Sequence, residues 1–310
     1  MTTPVRFSLC ICTYNRADLL HHCLQALTEQ NVDSSAFEVL VINNNCTDTT
    51  SEVCAAFQPA FAHFSEIHET QQGLSHARNR AIREAGSDWI VYLDDDAKAA
   101  PDMAEHILRT TENPKVRFFG GVYLPWYHYG QPVWFRDSYA SNKKSYTQPT
   151  WLKEGEFVSG GIMGVHREVF TEVGTFRTDI GMTGEKIAYG EENELQIRAR
   201  RAGYGVLYDP AIVIYHVVAR QKLNLDWFFA SAFARGRDNL IIRNYPRHTA
   251  YLLATALTAV GQVIVRLLLH TPRLWLQGNY YRENWLIDVF RRPAKRVGMI
   301  YTAIKEKRRQ

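Results

Sequence analysis

The sequence predicts an α/β protein with a doubly wound, mostly parallel sheet, and two observations support this fold class. Short apolar segments alternate with helical patterns along the first third of the chain, as in successive βαβ units. Polar side chains gather where the early strands are expected to end, which is where open α/β sheets bind their ligands. No GxGxxG motif follows the first strand and no P-loop motif occurs, so dinucleotide-binding and P-loop sites are disfavoured.

The first elements follow in order from residue 7. Apolar runs rich in β-branched and aromatic residues predict strands at 7–13, 37–42, 61–68 and 89–93. Asn15 is a candidate N-cap for the helix after the first strand, and Thr47 with Asp48 begins the helix after the second. A third helix is predicted over 73–85, and Pro101 with Asp102 begins a fourth.

Three adjacent carboxylates, Asp94, Asp95 and Asp96, follow the fourth strand directly. They repel one another unless a cation lies among them, and oxygen ligands of this kind suit Mg²⁺ or Mn²⁺. The alternative is a solvated acidic turn that complements the dipole of the next helix. The lack of a glycine-rich phosphate cradle favours the metal, because a divalent cation neutralises phosphates in its place.

The segment 124–155 has no clear period and mixes tryptophans and tyrosines with Pro, Gly and charges, which is typical of binding loops and lids. Flat aromatic rings suit sugars, so Trp126 and Trp134 are candidate sugar-binding residues, which the resemblance described below assigns to the acceptor. An aromatic mini-core under a loop is the alternative. A short strand is predicted over 157–161, ending at Gly160 and Gly161, where the backbone can approach a substrate closely.

The last part of this region predicts a loop, a helix and a strand. A loop over 181–190 leads into a helix that begins at Glu191 and Glu192, where carboxylates complement the helix dipole in any case. Residues 208–210 are expected to form a turn, and a final strand over 211–215 ends at His216. A lone histidine at a strand end is structural or functional, and both alternatives stay open.

Six segments, in their order along the chain, resemble the family-2 inverting glycosyltransferases with the GT-A fold. They are CTYNR (12–16), NNNCTD (43–48), GLSHARNRAI (73–82), YLDDD (92–96), SGGIMGVHRE (159–168) and GEEN (190–193). The resemblance implies a GT-A catalytic domain over residues 1–218. Its nucleotide-sugar half would be 1–123 and its acceptor half 124–218.

The resemblance also implies roles for particular residues. Those implied to bind the nucleotide sugar are Thr13, Tyr14, Asn15, Arg16, Asn43, Asn45, Asp48, Arg78, Asp94 and Asp95. Asp96 would hold Mn²⁺ or Mg²⁺ with His216 close by. Glu192 would be the catalytic base, and Glu191 would orient or bind the acceptor beside Gly160 and Gly161.

The expected donor is a UDP-sugar. Asn43 stands where the family often has Asp. An amide both accepts and donates hydrogen bonds, which bears on which nucleobase the donor carries. Two structural alternatives remain open here: residues 43–45 as a simple turn, and Arg78 as part of a solvated helix face.

One general base and one metal suffice for this chemistry. The base removes the proton of the acceptor hydroxyl, while the metal offsets the charge of the leaving nucleoside diphosphate. Glycoside hydrolysis would instead need two opposed carboxylates. A sugar nucleotidyltransferase and a catalytically inactive nucleotide- or glycan-binding module are the alternative functions, and CTYNRADLL lacks the basic, glycine-rich loop that the first of these requires.

Residues 219–310 differ in character from the rest and predict a helical, aromatic and basic appendage. From Arg273 onward there are ten Lys and Arg residues against three Asp and Glu, although the whole chain carries only +4. The stretch 251–269 just reaches spanning length, but Gln262 and Arg266 interrupt it. Peripheral contact with an anionic membrane is favoured over a packed helical hairpin or oligomer surface and over a true span.

The remaining expectations concern location and partners. Five cysteines without a CxxC pair, and the lack of a cleavable signal pattern, favour reduced thiols on the cytoplasmic face of the membrane. The expected partners are the nucleotide sugar, a glycan or lipid-linked acceptor, the membrane surface and a second copy of the chain. Nucleic acid is not expected.

Overall fold

The computed structural model describes residues 4–182, 188–243 and 245–307. The strands are β1 (Phe7–Thr13), β2 (Phe37–Asn43), β3 (Phe64–His68), β4 (Trp89–Asp94), β5 (Ala97–Ala99), β6 (Phe118–Trp126), β7 (Thr150–Trp151), β8 (Ile162–His166) and β9 (Leu207–Val217). The helices are α1 (Ala17–Thr28), α2 (Thr50–Phe57), α3 (Leu74–Glu84), α4 (Met103–Thr111), α5 (Arg167–Val173), α6 (Glu191–Arg201), α7 (Leu225–Ile242), α8 (Thr249–His270), α9 (Arg273–Leu276) and α10 (Arg282–Lys307). Part of the predicted loop at 181–190, residues 183–187, lies outside the described residues.

The strands form one sheet in the order β3-β2-β1-β4-β8-β6-β9-β5, with β7 paired to β9. The first four are parallel, β8 runs antiparallel to both β4 and β6, and β9 is parallel to β6. Thr13 pairs with Asn43, and Cys12 pairs with Asp94. The carboxyl ends of the three inner parallel strands are therefore level, which brings their terminal polar residues to one edge.

The sheet carries a hydrophobic core on each face, because successive side chains of a strand point to opposite sides. Leu9 and Ile11 of β1 cluster with residues of α1 and α4, whereas Cys10 clusters with residues of α3 and α6. Strands buried on both faces explain the continuous apolar runs in the sequence. The predicted doubly wound α/β architecture is confirmed.

The predicted N-cap at Asn15 is wrong. Asn15 adopts φ +51°, outside the helix, and its side-chain oxygen accepts a hydrogen bond from the Thr47 amide at 2.7 Å. Helix α1 begins at Ala17, whose N–H donates to the Asp48 carboxylate at 2.9 Å. The loop after β2 therefore caps the helix after β1, a long-range contact that a local capping pattern does not show.

The predicted strand over 157–161 is also wrong, since β8 begins only at Ile162. At Val158 the buried side-chain amide of Gln196 makes the hydrogen bonds that a neighbouring strand would otherwise make. It accepts from the Val158 N–H at 2.9 Å and donates to the Val158 carbonyl at 3.0 Å. These two side-chain bonds satisfy the backbone that a sheet would otherwise pair.

The predicted turn at 208–210 lies inside β9, which runs unbroken from Leu207 to Val217. The pairing with β6 shifts register there, between Gly120 and Val122. A Cβ on Gly121 would lie 2.2 Å from the Ile212 carbonyl oxygen. The Asp-Pro signal thus marks a bulge, where a strand tolerates proline, and not a chain reversal.

Packing divides the chain into two compact units. The first comprises Met1–Trp126, Ala140–Gly184 and Glu191–Val217, and the second comprises Tyr127–Tyr139, Glu185–Gly190 and Val218–Gln310. The break at Val217 lies next to the predicted boundary at 218, and the assignment of the two halves to donor and acceptor stays a prediction.

Helices α7 and α10 of the second unit pack closely. A Cβ on Gly236 would lie 1.8 Å from the Lys295 carbonyl oxygen, and one on Gly298 would lie 2.1 Å from that of Phe233. Glycine at these two positions therefore permits backbone-to-backbone contact between the helices.

Candidate active site

Asp94, Asp96 and His216 form one cluster at the carboxyl edge of the sheet, with their ligand atoms all within 4.8 Å of one another. Asp94 ends β4, and the short strand β5 pairs antiparallel with β9 so that Ala97 lies opposite His216. The Val217 N–H also donates to the Asp96 carbonyl at 2.8 Å. Local backbone pairing therefore holds the histidine against the acidic segment.

The chemistry of this cluster fits a divalent metal. Nδ1 of His216 lies 2.9 Å from the Val217 carbonyl, so it is the ring N–H that donates there. Nε2 faces Asp94 Oδ2 at 3.3 Å and Asp96 Oδ1 at 3.1 Å. Asp96 Oδ1 is buried and has no hydrogen-bond partner among the described residues. Two carboxylates and one imidazole so close together require either a shared proton or a cation, and they suit Mn²⁺.

Neighbouring charges shift the pKa values of Asp94 and Asp95 in opposite directions. Burial by itself raises the pKa of Asp94, but the hydrogen bond and charge of His216, with Arg78 and Arg16, outweigh it and lower that pKa to about 2. Burial and the charge of Asp96 raise the pKa of Asp95 to about 6 against the opposing charge of Arg16. Arg16 lies 3.1 Å from both Asp95 and Asp96. Its predicted contact with the nucleotide stays a prediction.

A second charged cluster surrounds the N-terminus of α6. Nη1 of Arg78 lies 2.8 Å from Glu191 Oε1, and both side chains are buried. Burial raises the pKa of Glu192 to about 8, the neighbouring charge of Glu191 adds to the effect, and Arg78 opposes it. Arg78 is therefore no solvated helix residue: it forms a buried ion pair with Glu191, next to Glu192.

Gly160 and Gly161 lie between the two clusters. A Cβ on Gly160 would lie 2.7 Å from Nη2 of Arg78, and one on Gly161 would lie 2.7 Å from Oδ2 of Asp94. The Gly161 carbonyl accepts from the Asp94 N–H at 3.1 Å. The glycines thus permit close approach to the protein's own charged groups, and their contact with an acceptor stays a prediction.

The predicted nucleotide-binding residues are brought to one edge. Asn43 is buried, with its oxygen accepting from the Cys46 N–H at 2.8 Å and its amide donating to Glu66 at 2.7 Å. Asn45, in the left-handed region at φ +64°, donates to the Thr70 carbonyl at 2.7 Å. Thr13 is buried and Tyr14 is exposed at the end of β1. Their contacts with a base or ribose stay predictions.

The two candidate acceptor tryptophans lie in different units. Trp126 packs edge-on against His22 at 5.2 Å, with the Lys98 ammonium 4.0 Å from its ring centroid. Trp134 contacts Phe228 at 6.0 Å in the second unit, and its carbonyl accepts from Asn284 at 2.6 Å. Trp134 thus belongs to an aromatic cluster of the kind that the sequence left open as an alternative.

Sequence reasoning assigned Asp94 to the nucleotide sugar and missed that it joins Asp96 and His216 in one cluster. The Arg78–Glu191 pair was also missed, because 113 positions separate the two residues and no local pattern links them.

Comparison with known proteins agrees with this geometry. The family model described as glycosyl transferase family 2 matches residues 8–174. The glucosyl-dolichyl phosphate glucuronosyltransferase of Haloferax volcanii is 22% identical over 250 residues, which is 77% of this chain and 77% of that protein. Several further curated relatives match over only 31–40% of their own length.

Two solved structures resemble the chain over almost its whole length. Mannosyltransferase PcManGT from Pyrobaculum calidifontis, in complex with GDP-Man and Mn²⁺, gives a TM-score of 0.65 at 18% identity and covers 99% of this chain and 89% of its own. S. aureus TarS 1–349 in complex with UDP gives 0.56 at 12% identity, covering 99% and 92%. This likeness confirms the predicted GT-A fold.

Proposed function

Since the chain belongs to glycosyl transferase family 2, we propose that it transfers a sugar, with inversion, from a metal-bound nucleotide donor to a hydroxyl group of a glycan or lipid-linked glycan. That it is a glycosyltransferase follows from the family and its relatives. The identity of the donor, the acceptor and the metal is part of the proposal. The observation that carries it is one catalytic unit containing both a metal-type cluster and a carboxyl group with a raised pKa.

Asp94, Asp96 and His216 would hold Mn²⁺ or Mg²⁺. Such an ion, when bound, supplies Lewis-acid stabilisation to the departing diphosphate. The protein's own contribution is to keep Asp94 ionised, since the hydrogen bond and charge of His216, with the charges of Arg78 and Arg16, outweigh burial and lower its pKa to about 2. Donor binding therefore depends on metal in this proposal.

Glu192 acts as the general base. Ionised, it accepts the proton of the acceptor hydroxyl as that oxygen attacks the anomeric carbon. Its raised pKa suits this role. A carboxylate whose pKa lies near the working pH is a stronger base than an ordinary glutamate and is still partly ionised. A single displacement with one base inverts the anomeric centre, and Glu191, fixed by Arg78, orients the base or the acceptor.

The donor proposal starts from a UDP-sugar and extends to GDP-mannose, because the structural neighbours bind UDP and GDP-Man. A lipid-linked acceptor gains support from a relative whose name includes dolichyl phosphate. Peripheral contact with the cytoplasmic face of an anionic membrane is also part of the proposal. Among the described residues, one segment, Thr249–Leu276, is long and apolar enough to cross a membrane by length and composition.

The first test is a donor screen. The full chain is incubated with Mn²⁺ and a panel of UDP- and GDP-sugars, and released nucleoside diphosphate is measured, alongside the thermal shift that each nucleotide causes. Release of nucleoside diphosphate on addition of acceptor supports the proposal. Conversion of the nucleotide sugar to a nucleoside triphosphate and a sugar 1-phosphate on addition of pyrophosphate would instead identify a nucleotidyltransferase, and binding without any reaction would identify an inactive binding module.

Two variants assign the roles. Glu192→Gln is expected to keep Mn²⁺-dependent donor binding and to lose transfer, whereas Asp96→Ala is expected to lose the donor-induced thermal shift. Asp18→Ala, which removes an exposed carboxylate from α1, is the matched control. Full transfer by Glu192→Gln would show that the base is another residue.

A further inference from the structure

The two carboxylate oxygens of Asp96 have different neighbours. Oδ2 accepts a hydrogen bond from Nη1 of Arg16 at 3.1 Å, whereas Oδ1 lies 3.1 Å from Nε2 of His216, inside the metal-type cluster. The Asp96 side chain is only 8% exposed, so protein groups and not water surround it. A carboxylate that is held at one oxygen by a directed N–H has a defined orientation at the other oxygen. The contact with Arg16 therefore determines which oxygen of Asp96 is turned toward His216.

Asp95 holds the Arg16 guanidinium group in this position. The same Nη1 atom carries a second hydrogen, which it donates to Oδ1 of Asp95 at 3.1 Å. Asp95 is buried, but it is not a member of the cluster formed by Asp94, Asp96 and His216. A buried carboxylate outside that cluster needs another partner, and Arg16 is that partner.

The backbone on both sides of Arg16 is fixed by the loop after β2. The side-chain oxygen of Asn15 accepts from the Thr47 N–H at 2.7 Å, and the Ala17 N–H donates to the Asp48 carboxylate at 2.9 Å. Strand β1, which precedes Arg16, lies next to β4 in the sheet, and β4 ends at the acidic segment. The arginine is thus placed beside the carboxylates by contacts in which the carboxylates take no part.

We propose that Arg16 and Asp95 are positioning residues for the metal: Asp95 holds the guanidinium group, and Arg16 turns Asp96 so that its Oδ1 is available to the ion. The inference rests on the proposed function, because it presupposes an ion at the cluster. It gives both residues a role besides the nucleotide contact that the resemblance implies.

This role predicts an effect opposite in sign to that of a simple charge. A cation beside a metal site repels the metal, so its removal alone would strengthen metal binding. A side chain that orients a metal ligand has the reverse effect, since the loss of such a partner typically lowers metal affinity by about 10–100-fold.

The test is the Mn²⁺ affinity of the full chain, measured by calorimetry without nucleotide and at a fixed concentration of UDP. Arg16→Met keeps the length of the side-chain stem but removes its charge and its donors, and it is expected to lower the affinity roughly tenfold. Unchanged or raised affinity would overturn the inference, because Arg16 would then act only as a charge. Arg109→Met removes an exposed arginine of α4 that pairs with Glu105, and as the matched control it is expected to change the affinity less than about twofold.

A double variant separates orientation from charge. Arg16→Met/Asp95→Asn removes one positive and one negative charge, and it leaves no ionised carboxylate at position 95 without its partner, which protects the fold. A role limited to charge predicts the wild-type affinity, whereas the positioning role predicts a loss of the same order as in Arg16→Met. The thermal unfolding midpoint is measured in parallel, and wild-type affinity in the double variant would overturn the inference.

The outcomes also separate this inference from the proposed function. Failure of the wild-type chain to bind Mn²⁺ under either condition would overturn the proposed metal site itself. Normal Mn²⁺ affinity in Arg16→Met together with weakened UDP binding would leave that site intact and would assign Arg16 to the nucleotide alone, against the positioning role.

Discussion

The raised pKa of Glu192 predicts an alkaline pH–rate profile for transfer. Burial and the charge of Glu191 bring its pKa to about 8, where an ordinary glutamate has 4.5. The base must be ionised to accept a proton, so activity is lost as the pH falls through this value. The Glu192 carboxyl group would be ionised in about one tenth of the molecules at pH 7 and in about one hundredth at pH 6. The rate is therefore expected to rise about tenfold between these two pH values and to level off above pH 9.

Glu191→Gln perturbs this profile in a defined direction. The substitution removes the like charge that raises the pKa of Glu192, and it frees the Arg78 guanidinium to act on Glu192 alone. Both changes stabilise the ionised form, so the midpoint is expected to fall by roughly 1–3 pH units. The fraction of maximal activity retained at pH 6 rises accordingly, even if the maximum itself falls.

The assay is steady-state release of nucleoside diphosphate between pH 5.5 and 9.5, at saturating Mn²⁺ and donor. Glu194→Gln is the matched control, since Glu194 lies on the same helix but is bound by Arg198 at 2.9 Å. Its midpoint is expected to equal that of the wild type. A wild-type midpoint near 4.5, or an unchanged midpoint in Glu191→Gln, would refute the assignment of Glu192 as a base whose pKa is raised by Glu191.

Three further predictions concern the clusters around this base. Asp96→Ala is expected to abolish Mn²⁺ binding measured by calorimetry while leaving the unfolding midpoint almost unchanged, and retained stoichiometric binding would exclude Asp96 as a ligand. Arg78→Met leaves Glu191 buried without its partner, so the free energy of unfolding in urea is expected to fall by about 3–5 kcal/mol, and a fall below about 1 kcal/mol would show that the pair is solvated. Gly161→Ala forces the Asp94 side chain from its position, and at about 1 kcal/mol of rotamer strain the Mn²⁺ affinity is expected to fall severalfold. Gly278→Ala, at a glycine with open space around it and no positive φ, is the comparison.

The sequence predicted the elements of the parallel half well, because strands buried on both faces leave continuous apolar runs between turn residues. The order of strands beyond β4 was not predictable in the same way. An antiparallel β8 between β4 and β6 depends on which apolar edges meet, and apolar pattern alone does not encode the partner. Tertiary contacts also explain the two wrong local predictions. Gln196 pairs with the backbone of Val158 where a strand was predicted, and Asp48 caps α1 from another loop where Asn15 was predicted to do so.

The candidate site shows the same contrast between residues that are close in sequence and residues that meet only in the fold. The acidic triplet was predicted as a site from residue type and position, whereas the Glu191-Glu192 pair was predicted as one only through the resemblance. Groups that meet only in the fold were not predicted, as with the burial of Arg78 against α6. The resemblance placed His216 near the metal, but the geometry that turns its Nε2 toward two carboxylates comes from the β5–β9 pairing.

The adjacent glycines Gly160 and Gly161 fix the distance between the two charged clusters of the first unit. Gly160 lies against the guanidinium group of Arg78, which pairs with Glu191, and Gly161 lies against the carboxylate of Asp94. Consecutive Cα atoms across a trans peptide are about 3.8 Å apart, a distance that no side-chain rotation alters. A single rigid peptide plane thus joins the cluster that we propose binds the metal to the carboxylate pair that we propose contains the base, so a shift of the backbone at one is transmitted to the other.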